Sequence, residues 1–432
     1  MRPFSFCRDR WLIIILLCVS VSGCSGPPPG PQRTTVVWIS IDGFRGDYVD
    51  RLPAESALRR MIKEGISSLQ LEPVFPSITF PSHVSQATGA AVAAHGVSNN
   101  SFHDAVTGTT HKYPSDSNLL LVEPIWITAE RQGARTAVID WPLSHAQTGA
   151  VRSAYFGDKF DPALTDRQRL DRLLEIYIAD KNPEPLRLVM GYSAALDNAG
   201  HALGPEAPEI TQALLETDRL IAEFTERLLT AWREKMKPGD QLFVLLTTDH
   251  GMVPVGKRFN LNLLLADVAA SQPLEIVSSG PVANVHLHRV VNEAARLAIE
   301  EDITARLAQF DFVRAYRREN LPAKWQYAHP TRVGDLVVVL TEGYMFDTRP
   351  AEVLSDLTPP DQPLGMHGYP VEESPQMMGA LVLWRYPTAL TRRELPLVRW
   401  DQLHPTVARL LGIKPAPGAS GIPISLYNIG GQ

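Results

Sequence analysis

The chain has 432 residues, 41 basic against 47 acidic side chains and a formal net charge of −6, and its cysteines are Cys7, Cys18 and Cys24. That balance excludes a nucleic-acid scaffold working through bulk positive charge. A body without cysteine excludes thiolate metal sites and a cysteine nucleophile, so any metal must sit on His, Asp and Glu.

Residues 1–23 read as a signal peptide. Arg2, Arg8 and Arg10 make a basic start, and residues 11–21 form an apolar run too short for a stable span but suited to an h-region. Val21-Ser22-Gly23-Cys24 resembles the bacterial lipobox, in which the Cys is lipidated and becomes the new N-terminus. Residues 24–33, rich in Gly and Pro, then read as a tether. Processing there would remove three Arg and one Asp and take the net charge to −8. The expectation is an exported protein, held in the cell envelope by its N-terminal lipid and facing the periplasm or the outside. Stable attachment would need more than one acyl group.

Thr34–Ile41 is a near-continuous β-branched run ending at Asp42-Gly43, the pattern of a strand buried on both faces. Residues 136–139, 186–192, 242–247 and 379–384 repeat it. Helical periods fall at 54–64, 168–179 and from Ile210 to Leu228. Strands alternating with helices predict an α/β domain with a mainly parallel sheet, with ligands gathering beyond the carboxyl ends of its strands. About 260–360 breaks the rhythm with short alternating runs (285–290, 336–340) and a helix near 293–310. This segment reads as a small α+β insertion.

Acidic and imidazole groups follow the strands. Asp42 ends the first, Asp197 and His201 stand four apart, Asp249 and His250 are adjacent, and His367 lies in GMHGY. These donors suit zinc where cysteine is absent, and suffice for two divalent ions if one further ligand joins. Neighbouring glycines would let backbone approach closely. Taken singly, D-H and D-x-x-x-H pairs are mostly chance or helix-surface contacts. In FPSITFPSH (75–83) the Thr79 hydroxyl lies between two prolines.

SIDGFR (40–45), FPSITFPSH (75–83), HGVSNN (95–100), EPIWITAERQG (123–133) and DWP (140–142) are followed by LDNAGHALGP (196–205), TTDHGM (247–252), GMHGYP (365–370) and RLLGIKPAP (409–417). On these stretches the chain resembles the nucleotide pyrophosphatase/phosphodiesterase group of the alkaline phosphatase superfamily, over nearly all of residues 34–432. The resemblance implies an alkaline-phosphatase-like core and two zinc ions per chain. It implies Thr79 as nucleophile, one ion on Asp42, Thr79, Asp249 and His250, and the other on Asp197, His201 and His367. Asn100 matches a donor to a phosphoryl oxygen, and Phe80 and Tyr155 match aromatics lining a nucleobase pocket. The implied reaction is hydrolysis of phosphodiester or pyrophosphate bonds, of nucleotides, through a covalent phospho-threonine. Residues 72–92 carry no Lys or Arg, which argues against a monoesterase, with Lys159 the nearest outside candidate. Lysophospholipid or choline-ester cleavage and phosphonoacetate-type hydrolysis remain open on the same residues. A non-catalytic envelope binding lipoprotein is the reading from outside the enzymes. His83, His95, His103, His111, His145, His286, His288, His329 and His404 are expected at the surface or behind the site.

Overall fold

A computed structural model describes residues 33–357 and 363–426. The expected signal peptide, Cys24 and the tether up to residue 32 lie outside the described residues.

The sequence places its most apolar strand at the centre. β1 (Thr34–Ile41) is buried from its second residue onward. Successive side chains point to opposite faces, so such a run needs a hydrophobic layer on each side. Val37, Ile39 and Ile41 enter one core, built with α1 (Ala57–Glu64) and other helices, while Val36 and Trp38 enter the other. The sheet has β2 (Ile66–Glu72) toward one edge and β3 (Thr136–Val138) toward the other. β1 pairs in parallel with β4 (Leu188–Ser193) and β5 (Gln241–Thr247). The late strand Gly379–Tyr386 runs antiparallel between β5 and β2. The nine-stranded sheet is therefore mixed and mostly parallel, flanked by helices.

Element boundaries shift by a few residues from the sequence pattern. The helix expected at 168–179 is α3 (Asp166–Ala179), which begins earlier because Thr165 and Gln168 form a capping box. The expected 54–64 helix starts only at Ala57, with Ser56 as its cap. The longest helix among the described residues runs Ile210–Lys235, about two turns beyond the apolar stripe that predicted it.

Between β5 and the late strand lies a separate four-stranded antiparallel sheet. Its strands, in spatial order, are Leu274–Ser279, Val282–Leu287, Leu336–Leu340 and Val313–Arg317. The helix Glu293–Leu307 covers it, and Ile303, Leu307, Phe259 and Val338 share a core of their own. This sheet and the loop leading into its strand Leu336–Leu340 grip the loop before Asn100: Asn99 Nδ2 donates to Val282 O at 3.2 Å and Ser98 Oγ to Arg332 O at 2.8 Å. Gly365-Met366 pairs with Val253-Pro254, which returns the chain to the end of β5.

Candidate active site

Three neighbouring parallel strands deliver the acidic groups at their carboxyl ends. Asp42 follows β1, and Asp249 and His250 follow β5. β4 runs into α4 (Ala195–Leu203), which carries Asp197 and His201 one turn apart. Thr79 opens α2 (Thr79–Thr88), and the pairing of Gly365-Met366 brings His367 to the same place.

The side chains converge. Thr79 Oγ1 lies 3.2 Å from His250 Nε2, which is 3.3 Å from Asp42 Oδ1 and 3.0 Å from Asp249 Oδ2. Asp197 reaches His201 Nε2 at 3.4 Å and His367 Nε2 at 3.6 Å. Every imidazole is oriented from behind by a backbone carbonyl. His250 Nδ1 donates to Gly251 O, His201 Nδ1 to Gly365 O and His367 Nδ1 to Ser77 O, at 2.9, 2.7 and 3.1 Å. Those bonds place the proton on Nδ1 and turn the Nε2 lone pair toward the carboxylates, the arrangement that metal-binding histidines use.

The electrostatics demand a cation. Asp42 Oδ1, Asp197 Oδ1 and Asp249 Oδ2 are buried with no hydrogen-bond partner. Burial, then Asp249 and Asp197, raises the Asp42 carboxyl well above its usual range. Burial, reinforced by Asp197, pushes Asp249 up to about 8. Burial, then His250 and His201, holds His367 well below the ordinary imidazole value. Buried carboxylates that repel one another and face bare imidazole nitrogens are a site built for divalent metal. Two groups have donors close enough for one ion, Asp197–His201–His367 and Asp42–Asp197–His250. The first is the set expected for one zinc. The second shares Asp197 and lacks Asp249, whose Oδ2 nonetheless sits beside His250.

A cavity of about 540 Å³ opens over these groups and is lined by Asp42, Thr79, Asp197, His201 and His367. Asn100 lines it too, and its Oδ1 accepts from Phe80 N–H at 2.9 Å. Asn99 is instead buried against the insertion. Phe80 lines the cavity edge-on to Tyr113, with ring centroids 6.1 Å apart.

Tyr155 requires correction. It does not line the cavity: its hydroxyl donates to Asp180 at 3.1 Å and its ring packs on the core. Phe160, five residues on, lines the cavity, held by Arg169 4.3 Å over its face and by Tyr192 edge-on. Lys159 is exposed and does not line the cavity. Arg169 does, but its guanidinium is bonded to Asp140 at 2.6 Å and to Asp161 O at 2.6 Å.

Sequence reasoning missed other supporting residues. Tyr192, the last position of the predicted strand, donates to Asp42 Oδ2. Asp166 accepts from Ser193 Oγ, Ala194 N and Ala195 N at 2.6, 2.9 and 3.0 Å, so it holds the start of α4 and with it Asp197. His83, expected at the surface or behind the site, lies behind it: it is fully buried, one helical turn after Thr79, with Nδ1 2.8 Å from Thr79 O and 3.4 Å from Asp249 Oδ2. The i, i+4 spacing of Thr79 and His83 was the available signal. His95, His103, His145, His286, His329 and His404 are likewise buried, not at the surface.

The chain is similar to known proteins over most of its length. The family model described as type I phosphodiesterase / nucleotide pyrophosphatase matches residues 36–370. A pyrophosphatase/phosphodiesterase of Schizosaccharomyces pombe is 28% identical over 352 residues, covering 78% of this chain and 68% of the relative. The bis(5'-adenosyl)-triphosphatase ENPP4 of Bos taurus is 27% identical over 419 residues, covering 94% and 84%. Murine ectonucleotide pyrophosphatase/phosphodiesterase 5 superposes with a TM-score of 0.74 at 22% identity, covering 91% of this chain and 98% of that one. An inactive variant of the murine protein has been solved in complex with AMP, with a TM-score of 0.73 at 22% identity over 89% of this chain and 96% of that one. Matched along most of its length, the chain belongs to the type I phosphodiesterase / nucleotide pyrophosphatase family, enzymes that hydrolyse phosphodiester and pyrophosphate bonds.

Proposed function

We propose that the protein is a two-zinc nucleotide phosphodiesterase that attacks phosphorus with Thr79 and releases a nucleoside monophosphate. One observation carries the reading: Thr79 Oγ1 stands 3.2 Å from His250 Nε2, among buried carboxylate oxygens that have no partner. Asp42, Thr79, Asp249 and His250 would hold one zinc, and Asp197, His201 and His367 the other. When bound, the metals supply Lewis acidity, which lowers the pKa of a coordinated hydroxyl and neutralises phosphoryl charge.

The chain's own residues do the rest. Thr79, at the first turn of α2, presents its oxygen where a helix N-terminus favours an anion. Asn100 gives its side-chain oxygen to Phe80 N–H, which leaves its amide hydrogens to donate to a phosphoryl oxygen. Thr79 Oγ forms a bond to phosphorus as the leaving oxygen departs, and water then cleaves the phospho-threonine and restores the hydroxyl. Phe80 and Phe160 both line the cavity and offer flat apolar faces to a base. Among the described residues Arg169 is the only Lys or Arg of the lining, and it is already paired with Asp140. A second ionised phosphate oxygen therefore finds no uncommitted Lys or Arg in that lining, which favours a diester over a monoester. The nucleotide substrate is also supported by the relatives named for bis(5'-adenosyl)-triphosphatase and by the AMP complex. Lipid attachment at Cys24 would hold the enzyme in the cell envelope.

The test compares kcat/KM for p-nitrophenyl thymidine monophosphate, p-nitrophenyl phosphate and p-nitrophenyl phosphorylcholine, with and without a chelator. The expected result is a chelator-sensitive preference for the nucleotide diester, abolished in Thr79→Ala while most metal remains bound. Substantial activity in that variant would remove Thr79 from the mechanism. A preference for the choline ester would move the substrate to lipids.

A further inference from the structure

Immediately after Asn100 the chain forms a hairpin, Ser101–Asp104 with Thr109–Lys112, which packs against the insertion sheet. Three histidines meet there, away from the residues proposed for catalysis. His286 lies directly opposite Glu275 on adjacent strands, so both side chains share one sheet face. His288, two residues on and half-exposed, keeps the same parity. His103 of the hairpin packs on both, its ring centroid 4.9 Å from that of His286 and 5.0 Å from that of His288, with planes tilted by 57° and 68°.

The hydrogen bonds fix where the lone pairs are. Thr110 Oγ1 has a single proton and donates it to Glu275 Oε1 at 2.8 Å. It must therefore accept from His103 Nδ1, 2.9 Å away. The proton of His103 is thus on Nδ1, and its Nε2 carries a bare lone pair. That Nε2 is buried and has no hydrogen-bond partner, and the same is true of His286 Nε2. Leaving a buried nitrogen unsatisfied is destabilising, and two in one contact call for an occupant. A carboxylate acting through a hydroxyl on the far nitrogen of an imidazole is a support that orients metal-binding histidines.

We propose that His103 and His286 form a second, independent site for a divalent transition metal of the zinc, copper or nickel type, with His288 closing on it as a third ligand. With Zn–N of about 2.1 Å and near-tetrahedral angles, two imidazoles on one ion have ring centroids roughly 5 Å apart. The observed spacings match that value, and they match the 5.1 Å between His201 and His367 in the candidate metal group of the active site. Unlike that group, the three histidines here are not gathered as tightly as a closed site. The site is open: His103 and His286 are fixed, His288 moves, and solvent completes the shell. Burial lowers both fixed imidazoles, His286 to about 4, so they are neutral and able to coordinate at neutral pH. Imidazole donors without thiolate suit these metals and not magnesium or calcium. An ion there would tie the hairpin that follows Asn100 to the insertion.

The experiment is equilibrium dialysis of the full chain against micromolar zinc, with bound metal counted by mass spectrometry. His103→Gln and His286→Gln are expected to bind one ion per chain fewer than wild type, with nucleotide-ester turnover within twofold of it. His288→Ala is expected to weaken that ion about tenfold without changing the active-site zinc. Removing the active-site set with His201→Ala and His367→Ala is expected to leave the extra ion bound, so this site stands or falls separately from the proposed catalysis. Equal metal content in wild type and both Gln variants would overturn the proposal. If the Gln variants do not fold, unchanged zinc affinity in His288→Ala would overturn it instead.

Discussion

Tyr155 and Phe160 lie five residues apart and serve different parts of the molecule. Tyr155 sits on the short strand Tyr155–Phe156, paired with β3, which directs its hydroxyl to Asp180 and its ring to the core. Phe160 falls after that strand, where the chain is free to turn over the cavity. Stacking on an aromatic contributes about 1–3 kcal/mol per base. Phe160→Ala is accordingly expected to raise KM for a nucleotide diester roughly tenfold with a smaller change in kcat, and Tyr155→Leu, which removes the ring, to leave KM unchanged. Steady-state kinetics on both variants decides this, and the reverse pattern would return the base to Tyr155. The family resemblance pointed to an aromatic of SAYFGDKFD at the substrate, and this segment carries three, Tyr155, Phe156 and Phe160. It did not show which one, since direction depends on a two-residue strand too short to announce itself by alternation.

Among the elements, the strand ends were the most legible part of the site. Asp42 and Asp249 each close a β-branched or apolar run, and a run that must be buried on both faces can stop only where the polar chemistry starts. Less legible was what holds those ends together. Asp166 is the first residue of α3 and yet also anchors α4, a contact between residues far apart in sequence that no local pattern encodes. The glycines beside the acidic groups are required by close approach. Gly43 adopts φ +70°, and a Cβ there would lie 2.9 Å from Asp197 Cα. A Cβ on Gly251 would lie 1.9 Å from the backbone oxygen of Gln376. Neither neighbour can swing aside as a side chain could, so the backbone must move. Gly251→Ala is expected to destabilise the fold by about 1–3 kcal/mol, as overpacking does, and to weaken metal binding by displacing His250. Urea unfolding with a parallel zinc titration measures both effects. Wild-type stability in this variant would mean that the loop after β5 is soft.

For the molecule as a whole, attachment and acid tolerance are the two properties at stake. No helix among the described residues is long and apolar enough to cross a membrane. Under the proposed lipid anchor, Cys24→Ser is expected to move the enzyme from the membrane pellet to the soluble fraction on cell fractionation. An unchanged pellet would place the anchor elsewhere. Acid tolerance follows from histidines buried as neutral acceptors. Burial lowers His95 to about 3 and His404 to about 4. His95 Nδ1 accepts from Val97 N–H at 3.1 Å, and His404 Nε2 accepts from Ala416 N–H at 2.9 Å. A proton on either nitrogen would face another proton. In the unfolded chain both imidazoles titrate near the ordinary value of about 6.5. Below that pH the unfolded state binds protons that the native state refuses, so stability rises with pH through this range and levels off above it. Each such histidine contributes a slope of up to about 1.4 kcal/mol per pH unit, lost progressively as pH falls from about 6.5 toward the folded-state values. Urea midpoints of metal-free protein, taken between about pH 7.5 and pH 5, are expected to fall steeply below pH 6.5. His404→Gln can keep both hydrogen bonds without titrating, so it is expected to shallow that slope. A midpoint that stays flat on acidification would show that these imidazoles are charged in the native state.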